Sequence, residues 1–232
     1  MVLSVRNWVE VIPGLTSLGA AYYYDGKITI EESDPELVIL KSLKYYWNEN
    51  DVFFMLYDLL MLRIAPLVHV ERLVKMAKTG LLSQDELILL IVVADKLVAK
   101  GEHRFKMVRK KLYKKGMKIQ KLPRLHSRPS FVKHHGAEEA FLEFGASVRK
   151  FLAPSDKKLL TLKAILKRNG WLKLRALMGP NYRADVIYLR SSGAAKNVSE
   201  AARMALCDYT ATYRILKYSE ELEHLEKVLG VS

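Results

Sequence analysis

The chain of 232 residues contains one cysteine, Cys207. That excludes an internal disulfide framework and any zinc site made of thiolates alone, and it suits a reducing compartment. Long apolar runs are also missing. The two most apolar stretches, 52–68 and 87–98, are broken by Asp58, Arg63 and Asp95, short of the roughly 20 clean residues that a membrane span needs. Residues 1–24 carry Arg6, Glu10 and a Pro13-Gly14 break, so they lack the apolar centre of a secretory signal. These absences lead to the expectation of a soluble, cytoplasmic protein with no membrane partner. Acidic residues are comparatively scarce. Lys+Arg 38 against Asp+Glu 25 leaves a formal charge of +13, which points to a polyanionic partner.

Signatures of catalysis are lacking too. There is no G-x-G-x-x-G, no P-loop, no H-E-x-x-H and no nucleophile elbow. Among the histidines only His134 and His135 are close in sequence, and adjacent residues on a helix point about 100° apart, a poor geometry for sharing a metal. Glu138 and Glu139 nearby do not repair it. The carboxylates are scattered, with no pair placed as acid and base. Cys207 falls in an expected turn and reads as a small packed residue. No enzyme activity, no cofactor and no metal is expected.

What is present is helical periodicity. The fold class expected is mainly α: a helical amino-terminal domain (1–120) with an N-terminal β-hairpin, a basic linker and short helix (121–153), and a carboxy-terminal helix-turn-helix domain (154–232). The hairpin rests on Ala21-Tyr22-Tyr23-Tyr24 and Lys27-Ile28-Thr29-Ile30 flanking Asp25-Gly26, a dipeptide favoured in type I′ turns. Asp34-Pro35 is a helix start, with the cap followed by proline at the first helical position. A second helix runs from Asp51 to before Pro66, and a third follows Pro66 and stops at Gly80. Ser83 and Glu86 form a capping box that opens an apolar helix over 87–99. A basic helix follows Gly101 and ends at Gly116. Residues 117–135 read as an extended linker, 137–151 as a short helix, and Ser155 as the cap of a helix over 156–168.

Charge concentrates between Lys96 and Lys133, where fourteen Lys or Arg accompany a single acid, Glu102. Phe105, Val108, Leu112 and Met107 supply an apolar stripe, and Lys110, Lys111, Lys114 and Lys115 are candidate phosphate contacts. Like charges four apart repel by a few tenths of a kcal/mol per pair unless relieved. Two sources of relief are open: nucleic-acid phosphate, or acidic residues elsewhere in the fold such as Glu220, Glu221, Glu223 and Glu226.

The stretch 197–222 reads NVSEAARMALCDYTATYRILKYSEEL. Asn197 with Glu200 is a capping box, Ala201, Ala202 and Ala205 offer a small-residue face, Leu206-Cys207 is a short connection, and Asp208 caps a second helix. Its buried side is expected at Ala211, Thr212, Ile215 and Leu216. The pattern carried by Val198, Ser199, Glu200, Ala202, Arg203, Tyr213, Arg214, Leu216 and Lys217 resembles the helix-turn-helix of winged-helix transcriptional regulators. Residues 172–193 are similar to the helix that such domains place before the motif. The resemblance covers roughly 172–222 and departs at three points. Glycine usually stands at Leu206, Val or Ile at Thr212, and a β-hairpin wing after the second helix, where this chain runs acidic over 219–228. Either the wing is missing, or this is a three-helix unit whose long last helix serves another purpose, such as a homodimer.

The resemblance implies a DNA-binding regulator that places helix 209–218 in the major groove of double-stranded DNA. Arg214 would bridge guanine acceptors and Thr210 would meet a thymine methyl or a phosphate. Tyr209, Tyr213 and Lys217 would hold the backbone, and Ser199 and Arg203 would meet phosphate from the first helix. The alternative is a protein- or RNA-docking scaffold with a degenerate helix-turn-helix.

Overall fold

The computed structural model describes residues 11–21, 33–48 and 51–229, with side chains as far as Glu221. The expected hairpin over Tyr22–Ile30 lies outside the described residues. Among those described there is no strand, only two isolated antiparallel bridges, Ala20–Leu159 and Ala137–Arg149. The architecture is otherwise helical. It divides into two compact units, 1–169 and 170–232.

The first unit holds α1 (Ile12–Ser17), α2 (Pro35–Leu43), α3 (Asp51–Leu59), α4 (Val70–Met76), α5 (Gln84–Ala99), α6 (Lys106–Leu112), α7 (Pro129–His135) and α8 (Leu162–Arg168). Asp34 caps α2 by accepting the Glu36 and Leu37 amides at 3.1 and 3.2 Å. The same carboxylate meets Arg72 of α4, which also bonds Glu36 at 2.7 Å. Arg72 and Glu36 are both buried, and a buried cation is tolerated only when it is paired in this way. The capping box opening α5 is present, Ser83 accepting from Glu86 and returning its own amide to the Glu86 carboxylate. Ile88 through Ala94 are all buried. A helix apolar on every side belongs in the middle of a core, and α5 packs on α2 and α6.

Three expectations are corrected here. The segment read as a linker belongs to the first unit, and the unit boundary falls at Asn169–Gly170 rather than at Pro154. Hydrogen bonds between residues far apart in sequence hold it there. Asp85, in the first turn of α5, accepts the amides of Gln120 and Lys121 at 2.8 and 3.0 Å. Gln84 and Trp47 donate to the carbonyls of Lys118 and Lys121, and Phe141, Phe144 and Val148 are buried. Second, the helix expected over 137–151 is instead α7 at Pro129–His135 and a 3-10 segment at Glu139–Phe144. Third, the last helix of this unit begins later than Ser155. The Ser155 amide donates to Asp58, and residues 158–160 pair with the exit of α1. Ala21 donates to the Lys158 carbonyl and Leu160 to that of Gly19, both at 2.8 Å. The Thr161 side chain then caps α8. Gly19 has φ +113°, and a Cβ there would lie 2.5 Å from the Ile165 side chain, so this crossing requires glycine.

The second unit holds α9 (Gly170–Met178), α10 (Tyr182–Ser191), α11 (Val198–Ala205) and α12 (Tyr209–Leu229). Its core gathers Trp171, Val186, Tyr188, Leu189, Ala195, Ala201, Ala205 and Leu216. Among the described residues, no helix is long and apolar enough to cross a membrane.

Candidate nucleic-acid interface

The second unit is built around one carboxylate. Asp185 of α10, fully buried, accepts from Trp171 Nε1 at 2.6 Å and from Arg175 Nε at 2.7 Å. This ties α9 to α10. Asn197 caps α11 by accepting the Glu200 amide at 2.9 Å, while the Glu200 carboxylate takes the Lys196 amide at 2.7 Å rather than that of Asn197. The reciprocal bond of the expected capping box is thus made one residue earlier.

Two of the positions singled out in the sequence, Leu206 and Thr212, fall in the turn between α11 and α12 and in the first turns of α12. Leu206 has φ 55° and ψ 35°, and the Cys207 amide donates to the Ala202 carbonyl at 3.0 Å. Left-handed backbone is where glycine is usual, and a residue with a Cβ costs about 1–2 kcal/mol there. Thr212 is fully buried. Its hydroxyl donates to the Asp208 carbonyl at 2.9 Å, so the polar atom that Val or Ile would lack is satisfied inside the helix. Asp208 caps α12 through the Ala211 amide at 3.1 Å.

With Thr212 and Leu216 turned inward, the residues singled out from the sequence face solvent. Tyr209 and Tyr213 are 55 % and 50 % exposed, and Thr210, Arg214, Lys217, Ser199 and Arg203 are exposed as well. At about 100° per residue, Tyr213, Lys217, Thr210 and Arg214 share roughly 100° of arc on α12. Lys217 lies 3.8 Å from Glu221 one turn on, with both side chains exposed. α12 continues as a single helix to Leu229.

The basic stretch of the first unit is split. Lys96 pairs with the buried Glu138 at 2.7 Å. Lys100 donates to the Met61 carbonyl. Arg104 caps the carbonyls of Ala65, Pro66 and Val68 at 3.0–3.1 Å. Arg109 grips Asp95 and Glu143, and hydrogen bonds to Glu143 and Asp95 raise its pKa well above the ordinary arginine value. By contrast Lys110, Lys111, Lys114 and Lys115 are exposed and form no ion pair among the described residues. α6 ends at Leu112, so the last two of these lysines stand beyond the helix. The four lysines belong to the first unit, and Ser199, Arg203 and the outward residues of α12 to the second.

Neither a family model nor any curated protein or solved structure matches this chain.

No group of three or more His, Cys, Asp or Glu among the described residues could hold a metal ion. Burial, then the charge of Arg149, lowers the His126 pKa to about 4. Its Nδ1 accepts from Arg149 Nε at 2.8 Å, and its ring stacks on Tyr46 with centroids 5.3 Å apart. The motif as read from the sequence does not include a groove of about 310 Å³ in the second unit, lined by α10, the α10–α11 connection and α12. The available signal was the pair Arg190 and Lys196 flanking that connection, outside the two helices of the motif.

Proposed function

We propose that this chain is a DNA-binding transcriptional regulator of the cytoplasm. In this reading α12 enters the major groove, and the exposed lysines after α5 add phosphate contacts. The observation that carries the reading is the sorting of side chains on the α10–α12 unit. Ala201, Ala202, Ala205, Thr212 and Leu216 are buried, while Ser199, Arg203, Tyr209, Thr210, Tyr213, Arg214 and Lys217 are left to solvent. Arg214 makes no side-chain bond among the described residues, so its fork of donors is free for a guanine edge. A homodimer through the distal half of α12 fits this reading, because helix-turn-helix proteins commonly read two half-sites.

A second reading, a protein- or RNA-docking scaffold, draws support from the unbroken course of α12. Its acidic distal half, 219–228, occupies the stretch where a wing is usual. Titration of the full chain on random-sequence duplex DNA at several salt concentrations separates the two. A regulator gives a steep fall of log K with log salt. A protein-docking scaffold gives no duplex binding even at low salt, and an RNA-docking one prefers RNA to duplex DNA.

A further inference from the structure

We infer that the groove beside α12 is a phosphodiester-binding site, which holds the duplex strand flanking that helix. The inference rests on the DNA-binding reading above. The groove, about 310 Å³, is lined by Arg190 at the end of α10, by Lys196, Asn197 and Val198, and by Tyr213, Leu216, Lys217 and Glu220 of α12. Three cations therefore converge from three elements against one carboxylate.

The fold does not consume these cations. Arg190 gives one of its donors to the Ala195 carbonyl at 2.8 Å and keeps the rest. Lys196 uses its backbone amide for the Glu200 carboxylate, while its ammonium has no partner among the described residues. Lys217 reaches Glu221 only at 3.8 Å, in solvent. Val198, Leu216 and Tyr213 add apolar surface to the lining, which suits the sugar faces of a nucleic-acid strand and strengthens the field of the neighbouring cations.

Position selects a duplex strand as the occupant. Tyr213 and Lys217 belong both to the groove and to the outward arc that carries Thr210 and Arg214. A major groove is about 12 Å wide, so a duplex that receives this arc brings one of its backbones alongside α12, on the flank where Arg190 and Lys196 stand. Contacts of this kind set register and affinity without reading sequence.

The test uses the full chain and random-sequence duplex DNA, with single-stranded DNA of the same length in parallel. Removing one phosphate-binding charge should flatten the slope of log K against log salt by about 0.9. Lys196→Gln should cost one such step. Arg190→Gln with Lys196→Gln should cost about two, equally on every duplex sequence. Glu220→Gln should act in the opposite direction and tighten duplex binding, which a merely structural role would not produce. Lys196 has no internal side-chain bond among the described residues, so its variant stays interpretable even if the double variant unfolds by circular dichroism. Wild-type duplex binding with an unchanged slope in Lys196→Gln overturns the groove site and leaves the regulator reading standing. An effect confined to single-stranded DNA overturns it as well. Absence of wild-type duplex binding at low salt removes the regulator reading, and the groove site falls with it.

Discussion

In the first unit Lys96, Lys100, Arg104 and Arg109 turn toward carboxylates and helix-end carbonyls of the same unit. In the second unit Arg203 and Arg214 stand in solvent with no ion pair among the described residues, while Arg175 is taken inward by Asp185. The contrast teaches what a run of positive charge is worth. The densest basic stretch of the chain is in part scaffold. The sparser cations of the second unit, Arg203 and Arg214, stand in solvent. Relief of like-charge repulsion came from Asp95, Glu138 and Glu143, none of them in the carboxy-terminal acidic cluster at 220–226.

The largest test of this contrast removes the anchor of the second unit. Asp185→Ala removes the buried carboxylate that accepts from the Arg175 guanidinium and the Trp171 indole N–H. Breaking a buried pair in this way costs about 3–5 kcal/mol. Chemical denaturation of the full chain should show the second unit unfolding first, with the first unit's transition in place. A single unshifted transition would mean that Asp185 is not the anchor.

Acid should act on the opposite unit. His126 has a folded pKa of about 4, below the ordinary 6.5 of an unfolded chain. The unfolded state therefore takes up the proton first. Stability is complete above pH 6.5, falls as pH drops toward 4, and levels off below, a loss of up to about 3 kcal/mol from this group. His126→Gln should flatten that part of the profile, as read from thermal melts between pH 7 and 4. A profile as steep as that of wild type would assign the acid loss to other groups.

Neutralising Lys110, Lys111, Lys114 and Lys115 together should leave the melting temperature unchanged, since none is in an ion pair among the described residues. It should also flatten the salt slope of DNA binding by up to about 3.6, at roughly 0.9 per phosphate. A drop in stability would show that these lysines are scaffold, like Arg104 and Arg109. Arg214→Ala should cost about 1–3 kcal/mol on the preferred sequence and little on others. Equal loss on all sequences would make it another backbone contact.

The smallest effect is at the turn. Leu206→Gly should be more stable than Leu206→Ala by about 1 kcal/mol. Both lose the same half-buried side chain, but only glycine is relieved of the left-handed strain. Equal melting temperatures for the two variants would show that the turn relaxes without it.

Local chemistry was legible in the sequence where the deciding groups lie within a few residues of one another. The Asp34-Pro35 start, the Ser83/Glu86 box, and the Asn197 and Asp208 caps depend on atoms one turn away, and the apolar spacing of Thr212 and Leu216 marks which face of α12 can be buried, so residue type and spacing make them legible. Tertiary structure alone decided the rest. Residues 117–121 became part of the first unit because Asp85 and Gln84, more than thirty positions earlier, take up their backbone groups. The last helix of that unit starts at Leu162 because residues 158–160 bond the exit of α1 instead of their own next turn. Which of the fourteen cations between Lys96 and Lys133 remain for a partner was settled in the same way. A charge is free or spent according to what the folded chain brings within hydrogen-bonding distance, and that distance is not written in the order of the residues.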